Sequence, residues 1–315
     1  MATVFLNGEF LGKDQARVSA FDAGFQHGVG LFETMLAVRE GGGRILHLQE
    51  HLARIADSAR TLGLTEVLRV GPLGEACERT LERAMAESEA ARIRIRLTIT
   101  GGDLNLLDRQ SGGQPMQPTL LIVAQPATEY PPEMFENGVL AVVADFKANP
   151  LDAMQGHKTL NYWGRLRELQ RAGARRAAEA IVLQVSNHVC GGCVSNIFIA
   201  KGGVLRTPIA RGEEQEVADD AGEELGASQG RAIVPSPVLP GVVRRWVMDW
   251  CTAMDVEVQR RMLTIHDVLE ADEVFLTNSS WGVLPVTRVE GRTIGGGTPG
   301  RLAGELRGAW GELLE

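Results

Sequence analysis

Over residues 93–100 the chain alternates strictly. Ile93, Ile95, Leu97 and Ile99 are apolar, and Arg94, Arg96, Thr98 and Thr100 are polar. Successive side chains on a strand point to opposite faces, so this run is a strand with one buried face and two arginines on the other. Such a strand needs partners beside it and a layer across its apolar face, and the same third of the chain supplies both. Residues 4–6, the Asn7-Gly8 turn and residues 9–11 read as a hairpin. Residues 31–38 read as a strand that Gly41-Gly42-Gly43 turns back into 44–46. From 47 to 62, Leu48, Leu52, Ile55, Ala59 and Leu62 recur at threes and fours, the period of a helix with one apolar stripe. A second helix is predicted over about 72–88, with Pro72 suited to its first turn. Helices over a sheet make this an α/β chain.

At 315 residues there is room for two domains. Residues 101–118 are glycine-rich and polar and read as a loop before a strand at 119–123. A proline-bearing stretch without periodicity follows, so the expected organisation is a small domain over 1–127, a linker over 128–135 and a larger domain over 136–315. The larger domain opens with an apolar strand at 138–146. A helix is expected at about 159–178, with strands near 180–185, 196–200 and 203–207. Another helix begins after Pro240-Gly241, and strands lie near 256–262, 273–277 and 283–294. Thr298-Pro299 pairs an N-cap residue with proline at the start of the closing helix. Residues 211–230, with Glu213, Glu214, Glu216, Asp219, Asp220, Glu223 and Glu224, read as a solvated, mobile surface insertion.

Charge and cysteine usage narrow the function. Forty acidic residues against 32 basic ones give a net charge of −8, which repels phosphate backbones and argues against nucleic acid as a partner. No apolar run approaches the roughly 18–20 residues of a membrane span, and the N-terminus lacks a basic segment ahead of a long apolar one. Four cysteines do not make a disulfide scaffold, so a cytoplasmic enzyme is expected. Lysines are scarce: Lys13, Lys147, Lys158 and Lys201 are all there are. Three sit in turn contexts. Lys158, in Gly156-His157-Lys158-Thr159-Leu160-Asn161-Tyr162, stands where a strand-rich stretch meets a helix, a junction that can aim a side chain into a site.

These residues carry a resemblance. Phe21-Asp22-Ala23-Gly24-Phe25-Gln26-His27-Gly28-Val29-Gly30-Leu31-Phe32-Glu33-Thr34, followed by His51-Leu52-Ala53-Arg54-Ile55, resembles the N-terminal signature of class IV (fold type IV) pyridoxal-phosphate enzymes. That group holds branched-chain aminotransferases, D-amino-acid aminotransferases and aminodeoxychorismate lyases. His157 to Tyr162, Leu239-Pro240-Gly241-Val242-Val243-Arg244 and the run from Asp272 to Val286 follow in the family's order. The resemblance implies a small α/β domain joined to a larger pseudo-barrel domain, pyridoxal 5′-phosphate as cofactor, and a homodimer. It implies that Lys158 bonds the cofactor. Arg54, the backbone of Gly241, Val242 and Val243, and the Ser279 hydroxyl would hold the phosphate. Tyr162 would contact the ring hydroxyl, and Arg96 and Ser280 would meet the substrate carboxylate.

The sequence also departs from the family. Aligned on Ser195-Asn196-Ile197-Phe198, the glutamate that keeps the pyridine nitrogen protonated is replaced by Gly191. A ring without that charge is a weaker electron sink, so slow transamination is expected, and Gly191→Glu is expected to raise the rate if its side chain fits. Val29 replaces a common aspartate. His188-x-Cys190-x-x-Cys193 offers metal or redox spacing as an alternative to close backbone approach, the favoured reading. The expected activity is transfer of an amino group between a branched-chain or D-type amino acid and a 2-oxo acid. The alternatives are a lyase acting on aminodeoxychorismate, which Gly30 to Thr34 and Asn278 to Val283 favour, and a cofactor-holding protein without catalysis.

Overall fold

In the computed structural model, residues 2–65, 68–103, 118–216 and 234–315 are described. The contacts divide the chain into two units. The first comprises Met1–Glu129, His157–Tyr162 and Leu313–Glu315; the second comprises Tyr130–Gly156 and Trp163–Glu312. The expected loop at 101–118 lies mostly outside the described residues, as does the acidic stretch beyond Glu216.

The first unit contains β1 (Thr3–Leu6), β2 (Glu9–Leu11), α1 (Ala23–His27), β3 (Gly30–Val38), β4 (Arg44–Ile45), α2 (Leu48–Thr61), α3 (Val70–Glu87), β5 (Arg92–Thr100) and β6 (Leu120–Pro126). The strands form one antiparallel sheet in the order β2-β1-β6-β5-β3-β4. The alternation over 93–100 is realised as expected: Ile93, Ile95, Leu97 and Ile99 are buried in one core with Leu52 and Ile55 of α2 and Leu73 and Cys77 of α3. Much of the N-terminal signature is scaffold. Asp22 caps α1 by accepting from the Gly24 N–H at 2.8 Å, and its other oxygen accepts the Thr100 and Thr119 hydroxyls at 2.7 Å each.

The second unit contains α4 (Glu133–Glu136), β7 (Val139–Ala148), α5 (Trp163–Ala174), β8 (Glu179–Gln184), β9 (Val189–Gly192), β10 (Asn196–Lys201), β11 (Val204–Thr207), α6 (Val242–Ala253), β12 (Val258–Arg260), α7 (Ile265–Leu269), β13 (Glu273–Asn278), β14 (Gly282–Val289), β15 (Arg292–Thr293) and α8 (Arg301–Glu312). Its mixed sheet runs β12-β11-β10-β13-β14-β7-β8-β9, with β15 beside β14. Strands β10 and β13 are buried on both faces. Ile197, Ile199, Val274 and Leu276 enter one cluster, and Phe198 and Phe275 stack in another under Val247 of α6 and Leu306 of α8.

Three expectations change. The helix predicted from 159 begins at Trp163, because residues 158–160 are extended and sewn to β3: the Phe32 N–H donates to the Lys158 carbonyl and the Leu160 N–H to the Gly30 carbonyl, each at 2.9 Å. That pairing groups the Lys158 segment with the first unit. The closing helix begins at Arg301 rather than at Thr298-Pro299, and the Glu273 carboxylate accepts its Leu302 and Ala303 N–H groups. Glu213 is no solvated acid either. It forks the buried Arg244 guanidinium at 2.6 and 2.8 Å. Among the described residues no helix is long and apolar enough to cross a membrane.

Candidate active site

In the first unit the predicted residues gather along β3. Lys158 is half-buried, whereas Lys13, Lys147 and Lys201 are more exposed. Its Nζ lies 4.2 Å from the centre of the Phe32 ring and 5.5 Å from that of Tyr162, and the two rings meet edge to face at 5.3 Å. The Arg96 guanidinium carbon lies 3.8 Å from the same Phe32 centre. Two cations and a phenol therefore share one aromatic side chain. Burial first, and then Arg94, lower the pKa of Arg96, against a smaller opposing effect of Tyr162. Phe32, which lies within the N-terminal signature, carries no local pattern that would single it out.

Arg54 is not a solvated helix arginine. Helix α2 presents His51, Arg54 and Ser58 at spacings of three and four, one face of a helix. Arg54 donates from Nε to Glu33 Oε1 at 2.8 Å and from Nη2 to Oε2 at 2.6 Å, while His51 Nδ1 meets Oε2 at 2.8 Å. Burial alone would raise the Glu33 carboxyl. The Arg54 charge, with hydrogen bonds from His51 and Arg54, holds it instead far below the usual carboxylate range. Burial lowers the His51 pKa, and the Arg54 and Lys158 charges add to it against the pull of Glu33. One turn on, Ser58 Oγ pairs with His157 Nδ1 at 2.8 Å, next to Lys158.

In the second unit the residues expected at the phosphate fall at the start of α6 and on the β13–β14 turn. Helix α6 starts at Gly241, whose extended backbone caps it without any side-chain hydrogen bond, so its first N–H groups are available to an anion. A Cβ at 241 would overlap Asn196 Oδ1; glycine is required by close approach. Asn196 pairs in register with Thr277, whose hydroxyl is buried at 1% exposure with no hydrogen-bond partner among the described residues. An uncapped helix start and an orphaned hydroxyl suit a phosphate group. Ser279 and Ser280 sit on the β13–β14 turn, where Asn278 Oδ1 accepts the Ser280 and Trp281 N–H groups at 2.8 and 3.1 Å.

The segment around Gly191 differs from what a carboxylate would need. Gly191 has φ of +145°, and a Cβ there would lie 2.8 Å from the Ser195 carbonyl oxygen. The side chain posited for Gly191→Glu does not fit this backbone. Nearby Glu179 is no replacement. Its carboxylate accepts the Ala180, Cys193 and Val194 N–H groups and the Ser195 hydroxyl. Burial raises its pKa against those bonds. Arg165 donates to the Gly192 carbonyl at 3.1 Å. Cys190 and Cys193 are buried thiols outside any disulfide, and burial pushes each up to about 12. Neither is a thiolate at neutral pH, and among the described residues no three His, Cys, Asp or Glu side chains group to hold a metal.

The chain resembles known proteins over nearly all of its length. Residues 30–214 and 226–289 match the family described as amino-transferase class IV. A protein of Methanocaldococcus jannaschii, provisionally named a branched-chain-amino-acid aminotransferase, is 30% identical over 96% of this chain and 93% of its own. The D-alanine aminotransferase of Bacillus licheniformis is 26% identical over 97% of this chain and 95% of its own. Among solved structures, a branched-chain amino acid aminotransferase from a T.th. strain, with pyridoxamine 5′-phosphate, has a TM-score of 0.82 at 23% identity, covering 99% of this chain and 93% of that one.

Proposed function

The chain belongs to the class IV aminotransferases, and we propose that it moves an amino group between a branched-chain or D-type amino acid and a 2-oxo acid, with pyridoxal 5′-phosphate as cofactor. One observation carries the reading: the half-buried lysine of the chain is held on β3 with its amine against Phe32 and Tyr162, beside Arg96. When bound, the cofactor takes up the amino group and draws into its ring the electron pair left at the substrate Cα.

The chain's own residues do the rest. Lys158 Nζ would hold the cofactor and serve as the base and acid that moves the proton off the substrate Cα. The family resemblance assigns the phosphate to Arg54 in the first unit and, in the second, to the N–H groups at the start of α6 and the Ser279 hydroxyl; the uncapped start of α6 supports its share of that assignment. Tyr162 would contact the ring hydroxyl. Arg96, desolvated against Phe32, would draw the substrate carboxylate, a role the resemblance also gives Ser280. Gly191 offers no carboxylate where the resemblance expects one for the ring nitrogen, so slow turnover is expected.

A homodimer completes the proposal. Large apolar side chains left in water mark association surfaces, and Phe21 and Phe25 of the first unit are 68% and 78% exposed. Sedimentation equilibrium of the full chain reads this directly, and a monomer at micromolar concentration overturns it.

The substrate reading is tested by incubating the purified chain and cofactor with leucine, valine or D-alanine and a 2-oxo acid. Chromatography then follows the new amino acid. Transfer from one of these donors is expected; no transfer from any of them refutes it.

A further inference from the structure

Glu33 stands on the face of β3 that also carries Leu31, Met35 and Ala37, all buried. A carboxylate at 1% exposure there is expensive, since a buried charge needs both a partner and satisfied lone pairs. Its partners are unusually complete. Arg54 offers Nε and Nη2 as a fork, and His51, one turn earlier on α2, closes on Oε2. We propose that Glu33 is a positioning residue for the cofactor phosphate, acting through Arg54.

The geometry supports this in three ways. A two-point fork fixes the plane of a guanidinium, so the orientation of its outer edge is set before any anion arrives. The His51 contact stops the carboxylate from rotating and carries Arg54 with it. Strand β3 also holds Lys158, through the Phe32 N–H one residue earlier. Neighbouring residues of one strand thus fix the arginine and the lysine: Phe32 toward Lys158, Glu33 toward α2. An arginine on a helix without such a fork would have to be ordered by the phosphate itself, at a cost in affinity.

This rests on the reading that Arg54 binds phosphate, and the test separates the two. Pyridoxal phosphate, and pyridoxal without its phosphate, are titrated into the full chain and into Glu33→Gln, Arg54→Ala and the double variant, with binding followed by absorbance. Glu33→Gln is expected to weaken pyridoxal phosphate by about tenfold, the size of one charge-assisted hydrogen bond, and to leave pyridoxal unchanged. The double variant is expected to bind no more weakly than Arg54→Ala, because the two act through one guanidinium. If Arg54→Ala binds pyridoxal phosphate as the native chain does, the phosphate reading and the proposal both fall. If Arg54→Ala is weakened and Glu33→Gln is not, the reading stands and Glu33 has no positioning role. Equal weakening toward both ligands makes Glu33 a general fold residue and overturns the proposal. Should Glu33→Gln not fold, Arg54→Lys decides: an ammonium cannot be held in a plane, so its affinity is expected to drop toward that of Arg54→Ala. Native affinity in Arg54→Lys overturns the proposal.

Discussion

Phe32 holds Lys158 twice: its N–H donates to the lysine carbonyl at 2.9 Å, and its ring lies 4.2 Å from the lysine amine. The backbone bond sets the position of the residue, and the ring sets the path of the side chain. Neither depends on a ligand.

Lys158 should therefore be the residue that retains the cofactor. Borohydride treatment of the loaded protein followed by peptide mapping is expected to mark the peptide containing Lys158. A mark on Lys147 or Lys201, both more exposed, would falsify the assignment.

The Glu33–His51–Arg54 group predicts loss of stability in acid. Glu33 titrates in the folded chain below its ordinary 4.5, so its contribution is complete above that pH and is lost as pH falls below it. Burial lowers the His51 pKa from 6.5, so as pH falls through 6.5 the unfolded chain takes up a proton more readily than the folded one. Both terms have the same sign. Urea midpoints are expected to be flat above about pH 6.5, to decline below it and to steepen below about 4.5. Glu179, raised by burial, acts in the opposite sense, so the deciding quantity is the midpoint difference between the native chain and Glu33→Gln: a difference that grows on acidification contradicts the buried-anion description.

Arg244 makes the corresponding prediction for the second unit. It is 1% exposed and donates to Glu213, to the Pro208 carbonyl at 2.9 Å and to Thr207 Oγ1 at 3.2 Å. Truncating one side of such a pair strands the other, so Arg244→Ala is expected to cost about 3–5 kcal/mol. Denaturant unfolding measures it. A loss below about 1 kcal/mol, the scale of a surface pair, contradicts the burial described.

Hydrophobic period made much of this fold legible. The stripe from Leu48 to Ala59 and the alternation from Ile93 to Ile99 each have a single physical reading, and both meet in one core. Glu213 and Glu33 were not legible, for a shared reason. An acid in a polar run reads as solvated, and an acid in an apolar run reads as an interruption, until the partner is known. Those partners lie 31 and 21 residues away. Lys158 stood out through scarcity, but its pairing with Phe32 joins residues 126 apart by number (158 − 32) and has no local pattern. Gly191 shows the opposite limit. The resemblance points to a missing carboxylate there, but the local pattern does not show that the Ser195 carbonyl lies 2.8 Å from where a Cβ would stand.

That last point reverses an expectation for Gly191→Glu. If only a side chain were missing, adding one should quicken the reaction. At φ of +145°, with the Ser195 carbonyl 2.8 Å from any Cβ, the variant must first rearrange β9. Holding a non-glycine residue in such a conformation costs about 1–3 kcal/mol. Gly191→Ala bears the same strain without the carboxylate, so it isolates the backbone from the charge. Both variants are expected to unfold at lower temperature than the native chain by similar amounts, and neither is expected to turn over faster at saturating cofactor. Native turnover itself is expected to fall below the ordinary enzyme range of about 1–10³ per second. If Gly191→Glu keeps native stability and speeds the reaction while Gly191→Ala does not, the site tolerates a carboxylate and its loss alone explains the slow chemistry. If the native chain already runs within the ordinary range, the chain does not need that charge at all.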